Sequence, residues 1–221
     1  MSASCGHSHD FDGSDPTFKK VLIFVAALNI TMFIVEMTAG AISGSQALKA
    51  DALDFLADGI TYTISLLVIG MSLRTRALAA LGKATSLLLM GLWVLGSTIY
   101  QVFILSVPQA ALMGGVGFLA LAANLLSVLL LMKWREGDSN IRSVWLCSRN
   151  DAIGNVIVVI AAIGVFGTGT AWPDLIVAAI MAGLFLSSAT QIFRQALKEL
   201  KSGGNTGNSC GSQGHDHGHH H

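Results

Sequence analysis

Three aspartates, Asp51, Asp54 and Asp58, stand inside a hydrophobic run that extends from about residue 47 to residue 73. On a helix, positions i, i+3 and i+7 share one face, and Asp54 and Asp58 lie one turn apart. At the centre of a membrane helix each aspartate costs roughly 2.5 to 3.5 kcal/mol. Adjacent carboxylates also repel unless a cation or protons lie between them. A divalent metal meets both demands. Further along the chain Cys147, Asp151 and Asn155 recur at intervals of four and therefore also share a face. A thiolate beside carboxylates favours zinc or cadmium over manganese or magnesium, by ligand softness.

Composition indicates the elements that position these residues. The chain is 52% hydrophobic and only 12% charged, with a mean hydropathy of +0.63, too apolar for an ordinary soluble domain. The expected fold class is all-α, a polytopic membrane protein. A formal net charge of zero leaves no basic surplus for phosphates, so no nucleic-acid partner is expected. The first 16 residues are polar and the apolar run that follows is too long for a signal-peptide core, so no cleavable leader is expected. Cys5, Cys147 and Cys210 are odd in number and far apart, which argues against a disulfide framework.

Apolar runs near 18–42, 47–72, 80–105, 110–133, 141–167 and 173–196 are each long enough to cross roughly 30 Å of hydrocarbon at about 1.5 Å per residue. This predicts six transmembrane helices within a domain over 18–200, flanked by disordered tails at 1–17 and 201–221. Of 13 Lys and Arg, all but Lys49 fall in the amino terminus, the second and fourth connections with their flanks, or the carboxyl terminus. The positive-inside rule then places both termini in the cytoplasm. Helices two and five run oppositely in that frame. Asp58 and Asp151 each lie about 15 Å from their own end of the membrane and meet near its midplane.

Other polar residues are less specific. Glu36 in the first run reads as a proton relay or a hydrogen-bonding partner, and Asn29, Asn150 and Asn124 read first as contacts between helices. Asn155 reads as a partner outside the ligand shell. Asp51 lies nearer the outer surface, where it orients the site, lines the exit or ligates directly. Helices three and six, without interior acids, read as scaffold. Gly91, Gly96, Gly114, Gly117 and Gly183 are expected to allow close helix approach. The tails carry His7 and His9 at one end and His215 and His217 at the other, a pattern suited to weak metal capture rather than a defined site.

From Ala27-Leu28-Asn29 through Glu36, Gly40, Ser43-Gly44-Ser45 and Leu48 into Asp51, Asp54 and Asp58, and again over Asn150-Asp151-Ala152-Ile153-Gly154-Asn155, the chain resembles the cation diffusion facilitators. The resemblance covers essentially residues 18–200. It implies a divalent-cation efflux transporter, not an enzyme, that exchanges metal for protons by alternating access, with no prosthetic group. It also implies a transport site of two residues four apart on helix two and two residues four apart on helix five. Carried over by position these are Asp54, Asp58, Cys147 and Asp151, where the family more often has His or Asp at the place of Cys147. After the last helix the chain looks like the short form of the family, without the usual cytoplasmic domain.

The expected partners are a divalent ion, protons, the lipid bilayer and a second copy in a homodimer, in a bacterial plasma membrane. The expected cargo is Zn2+, with Cd2+ and Co2+ as alternatives, held by Asp54, Asp58, Asp151 and either Cys147 or water. A different class of reading is a non-transporting membrane component that binds metal through its His-rich tails. A hydrolase built on the aspartate pair is disfavoured, because no nucleophile motif accompanies the acids.

Overall fold

A computed structural model of the chain describes residues 16–67, 73–104, 106–134 and 139–203, with the side chains of 65, 73–77, 79, 134, 139–150 and 199–203 outside the description. Six helices follow in order: α1 (Pro16–Ser43), α2 (Gln46–Leu67), α3 (Leu73–Ile104), α4 (Ala110–Leu131), α5 (Ser139–Thr168) and α6 (Trp172–Gly203). A 3-10 turn at Met132–Trp134 follows α4, and no strand occurs among the described residues. The all-α class is the one the apolar runs predict. In lipid a single segment can satisfy its backbone groups internally only as a helix.

The described connections after α1 and α5 are tight. Gly44 between α1 and α2 has φ +77°, and Gly169 after α5 has φ +62°, both in the left-handed region that glycine enters without a Cβ penalty. The Gly169 N–H donates to the Val165 carbonyl at 2.9 Å and closes the end of α5. Short links fold successive helices back on one another. At one end Phe18 and Leu22 of α1 pack with Tyr62 of α2 and Leu131 of α4. At the other, the Gln109 N–H before α4 donates to the Ser43 carbonyl of α1 at 3.0 Å. Both chain ends of the bundle therefore share its first end, which is also where the basic residues of the sequence gather; it is called the basic end below.

Three boundaries differ from expectation. α1 begins at Pro16, two residues into the expected tail; α3 begins at Leu73 rather than near 80; and α6 runs to Gly203, past 196 and three residues into the other expected tail. Arg74, Arg76, Lys198 and Lys201 end the apolar runs but not the helices, because Lys and Arg are good helix formers in water.

Among the described residues five helices are long and apolar enough to cross a membrane, and α2 is the exception. Its Lys49, Asp51, Asp54 and Asp58 give it more charge than the other five helices carry in their apolar stretches. Packing resolves this: among the described residues α2 exposes one large hydrophobic side chain, Leu67, at its very end, whereas the other five helices expose several each. Lipid-facing side chains belong to the outer helices, and α2 is the sheltered one. α1 packs chiefly on α2, α4 on α5, and α3 on α6. Close approach at glycine holds for three of the five expected positions. A Cβ on Gly91 would lie 3.1 Å from Leu186 and Phe185, one on Gly117 3.3 Å from Val158, and one on Gly114 3.6 Å from Ala162. Gly96 and Gly183 meet nothing within 4 Å, so at these two positions the expectation fails: spacing on a helix does not say which small residues face a neighbour and which face outward.

Candidate functional site

Asp58 lies twelve residues into α2 and Asp151 twelve into α5, each about 18 Å along its helix from opposite ends of the bundle. They face one cavity. Its volume is about 490 Å³, and Asp54, Ala57 and Asp58 of α2 line it together with Asp151 and Gly154 of α5, Lys83 and Leu87 of α3, and a stripe of α6 from Val177 to Ile192. The wall is mostly apolar, with the acids converging on it, as expected of a small-ligand site between helices. The cavity runs along α6 from Val177, five residues from the start of that helix, to Ser188 and Ile192 in its second half, and with Lys83 in the first half of α3 it reaches toward the basic end. Toward the opposite end, Ala47, Leu48, Ala50, Asp51 and Ala52 of α2 are buried.

The acids are held differently. Asp58 is 5% exposed and accepts a hydrogen bond on Oδ2 from the Tyr62 hydroxyl at 2.5 Å. The Asp151 carboxyl faces those of Asp54 and Asp58, and its Oδ2 is buried without a donor. Three carboxylates around one cavity form a hard-oxygen donor set for a divalent cation, incomplete for tetrahedral zinc by one ligand. Among the described residues no group of three or more His, Cys, Asp or Glu is drawn together so that it could hold an ion. The acids thus line a common space without closing on one point. Cys147 is on α5 one turn from Asp151, but its side chain lies outside the described residues, as do those of His7, His9, His215 and His217 and of Asn150.

Asp51 parts from its neighbours. It does not line the cavity. At 2% exposure it turns toward Glu36 of α1, itself 0% exposed, and both Glu36 oxygens and Asp51 Oδ2 lack a donor. Asn155, fully buried, has neither side-chain atom hydrogen-bonded, and it too is absent from the cavity wall. Asn29 has a local role, its Nδ2 donating to the Val25 carbonyl at 2.8 Å. Asn124 is buried on α4.

Sequence reasoning missed three residues. Tyr62 follows Asp58 by four positions and is fully buried, a spacing that could have flagged it. Lys83 brings an ammonium to the cavity wall, and its cue was a lone Lys several residues inside a helical run. Asp174 sits in the first turn of α6, where its carboxylate meets the start of α2. α3 and α6 are accordingly more than scaffold, because they form the cavity wall opposite the acids.

These features, an acid-lined cavity enclosed by helices two, three, five and six of a six-helix membrane bundle, accord with the comparisons to known proteins. Residues 22–201 match the family described as the cation efflux transmembrane domain. The chain belongs to the cation diffusion facilitator family. It is an integral membrane protein of a transporter family rather than of an enzyme family. Among its relatives are the zinc transporter ZitB of Yersinia pestis, 29% identical over 202 residues, covering 86% of this chain and 64% of that protein. The metal cation efflux system protein CzcD of Cupriavidus metallidurans is 29% identical over 215 residues, covering 90% of this chain and 66% of its own length. A cadmium, cobalt and zinc/H(+)-K(+) antiporter of Bacillus subtilis is 26% identical over 214 residues, covering 90% of this chain and 67% of its own length. The chain spans just under two thirds of the length of the first two of these relatives.

Proposed function

We propose that this cation diffusion facilitator exports a divalent cation, Zn2+ first and Cd2+ or Co2+ as alternatives, from the cytoplasm of a bacterium in exchange for protons. It would act as a homodimer in the inner membrane. The observation that carries the reading is the convergence of Asp54, Asp58 and Asp151 on one mid-bundle cavity. Buried acids at this depth persist where they bind ions or move protons. The names of the relatives, which include zinc, cadmium, cobalt and H(+), support the choice of cargo and counter-ion.

The ion is cargo and not a resident cofactor. It enters from the basic end, into which the cavity extends, and takes carboxylate oxygens from Asp54, Asp58 and Asp151, with Cys147 or water as the fourth ligand. Metal requires deprotonated ligands, so its arrival expels protons from the same oxygens toward the cytoplasm. Once the site faces outward, returning protons displace the ion. Coupling follows from competition of two cations for one set of lone pairs, and alternation of access keeps the exchange directional.

The test is zinc accumulation by inside-out vesicles with an acid interior. Collapse of the proton gradient by a protonophore should stop uphill accumulation. Accumulation unchanged by the protonophore would contradict antiport.

A further inference from the structure

The first turn of α2 is capped by a residue of another helix. Asp174, in the first turn of α6 and 0% exposed, accepts on Oδ1 from the Ser45 hydroxyl at 2.5 Å and the Ala47 N–H at 3.0 Å. Its Oδ2 accepts from the Gln46 N–H at 2.8 Å. Ser45 Oγ in turn accepts from the Leu48 N–H at 3.0 Å. Three consecutive amides that α2 cannot satisfy internally are thus all engaged, two of them by a carboxylate from α6. A carboxylate at a helix amino terminus also complements the partial positive charge there.

The location gives this contact its consequence. α6 packs chiefly on α3, and α2 chiefly on α1, so the carboxylate ties two packing units together. It does so at the end opposite the basic end, one turn along α6 from Val177 of the cavity wall and beside Ala47, Leu48, Ala50, Asp51 and Ala52, which are all buried. Separation of α6 from α2 at that end would have to release three charge-assisted hydrogen bonds at once. We infer that Asp174 is a positioning residue of the outer gate: it fixes the start of the ligand-bearing helix against α6 and holds the outer end shut while the cavity communicates with the basic end. The inference rests on the alternating-access reading above and adds the residue that sets the balance between its two states.

The experiment uses the full chain in proteoliposomes, with its three cysteines replaced by serine and one reporter introduced by Ala50→Cys or, as a fold control, by Ala161→Cys, both at buried positions. A membrane-impermeant maleimide is added from the outer side without metal. Ala50→Cys should be protected when Asp174 is intact and should label about tenfold faster or more in Asp174→Ala, the size expected for losing charge-assisted hydrogen bonds, while Ala161→Cys stays protected. Asp174→Asn, which keeps one acceptor, should fall between the two. Equal labelling of Ala50→Cys with and without Asp174 would overturn the inference. If Asp174→Ala exposes both reporters it has unfolded, and Ser45→Ala decides: faster labelling at Ala50→Cys alone supports the gate, and unchanged labelling overturns it. Zinc-driven proton flux, measured separately on the protein with its native cysteines, tests the transport reading; its absence would count against that reading and leave the labelling result to stand on its own.

Discussion

The Tyr62 hydroxyl donates to Oδ2 of Asp58 at 2.5 Å, from a side chain that is itself fully buried among Phe18, Leu22, Val25 and Leu131. The bond commits one oxygen of Asp58 to the protein and orients the carboxyl. Tyr62→Phe should therefore weaken zinc binding by about tenfold, the usual cost of losing a partner behind a ligand, with little change in melting temperature. Zinc titration by calorimetry checks this, and unchanged affinity would separate Tyr62 from the site.

Lys83 places an ammonium in the wall of the cavity proposed to receive the cation. Like charges raise the cost of binding even when partly screened. Lys83→Gln should tighten apparent zinc affinity by about threefold to tenfold at low ionic strength, with the gain shrinking in high salt. The check is zinc-dependent uptake at two salt concentrations.

In the proposed mechanism, competition of protons and metal for the same carboxylates fixes the sign of the pH response. Lower pH must weaken zinc binding, by about tenfold per pH unit for each proton displaced. Titrations from pH 6 upward, read as log affinity against pH, give the number of protons as the slope; a flat line would contradict shared oxygens.

Gly40 and Gly96 make opposite predictions. A Cβ on Gly40 would come within 3.1 Å of the Lys49 backbone nitrogen and 3.3 Å of Leu48 Cβ, forcing α1 from α2. Gly40→Ala should destabilise by about 1–3 kcal/mol, as overpacking does. Gly96 meets nothing within 4 Å, so Gly96→Ala should be neutral or slightly stabilising through helix propensity. Thermal unfolding in detergent distinguishes the two.

Much of this architecture was legible in the sequence, because lipid allows few backbone solutions and apolar runs reveal them. The spacing of Asp54 and Asp58 gave their shared face, and charge asymmetry gave helix directions, which brought Asp151 to the same depth. Asp51 illustrates the limit. It lies on the same face of α2 by spacing, yet α1 rather than α5 covers its turn, so it meets Glu36 and not the cavity. Which neighbour covers each turn of a helix depends on packing between distant segments. The Asp174 contact was hidden for the same reason: its partners are more than a hundred residues away, and a lone acid near a helix start reads as an ordinary cap.

The account depends on Asp58 as an ion ligand at the meeting point of α2 and α5. Its most direct test is stopped-flow zinc flux with simultaneous proton release in proteoliposomes, wild type beside Asp58→Asn, a change that keeps the shape and removes the charge. Loss of a charged ligand should lower zinc flux by at least about 100-fold, beyond the cost of losing a mere partner behind a ligand, and abolish zinc-dependent proton release. Zinc flux that survives in the folded variant with its proton release intact would contradict the assignment.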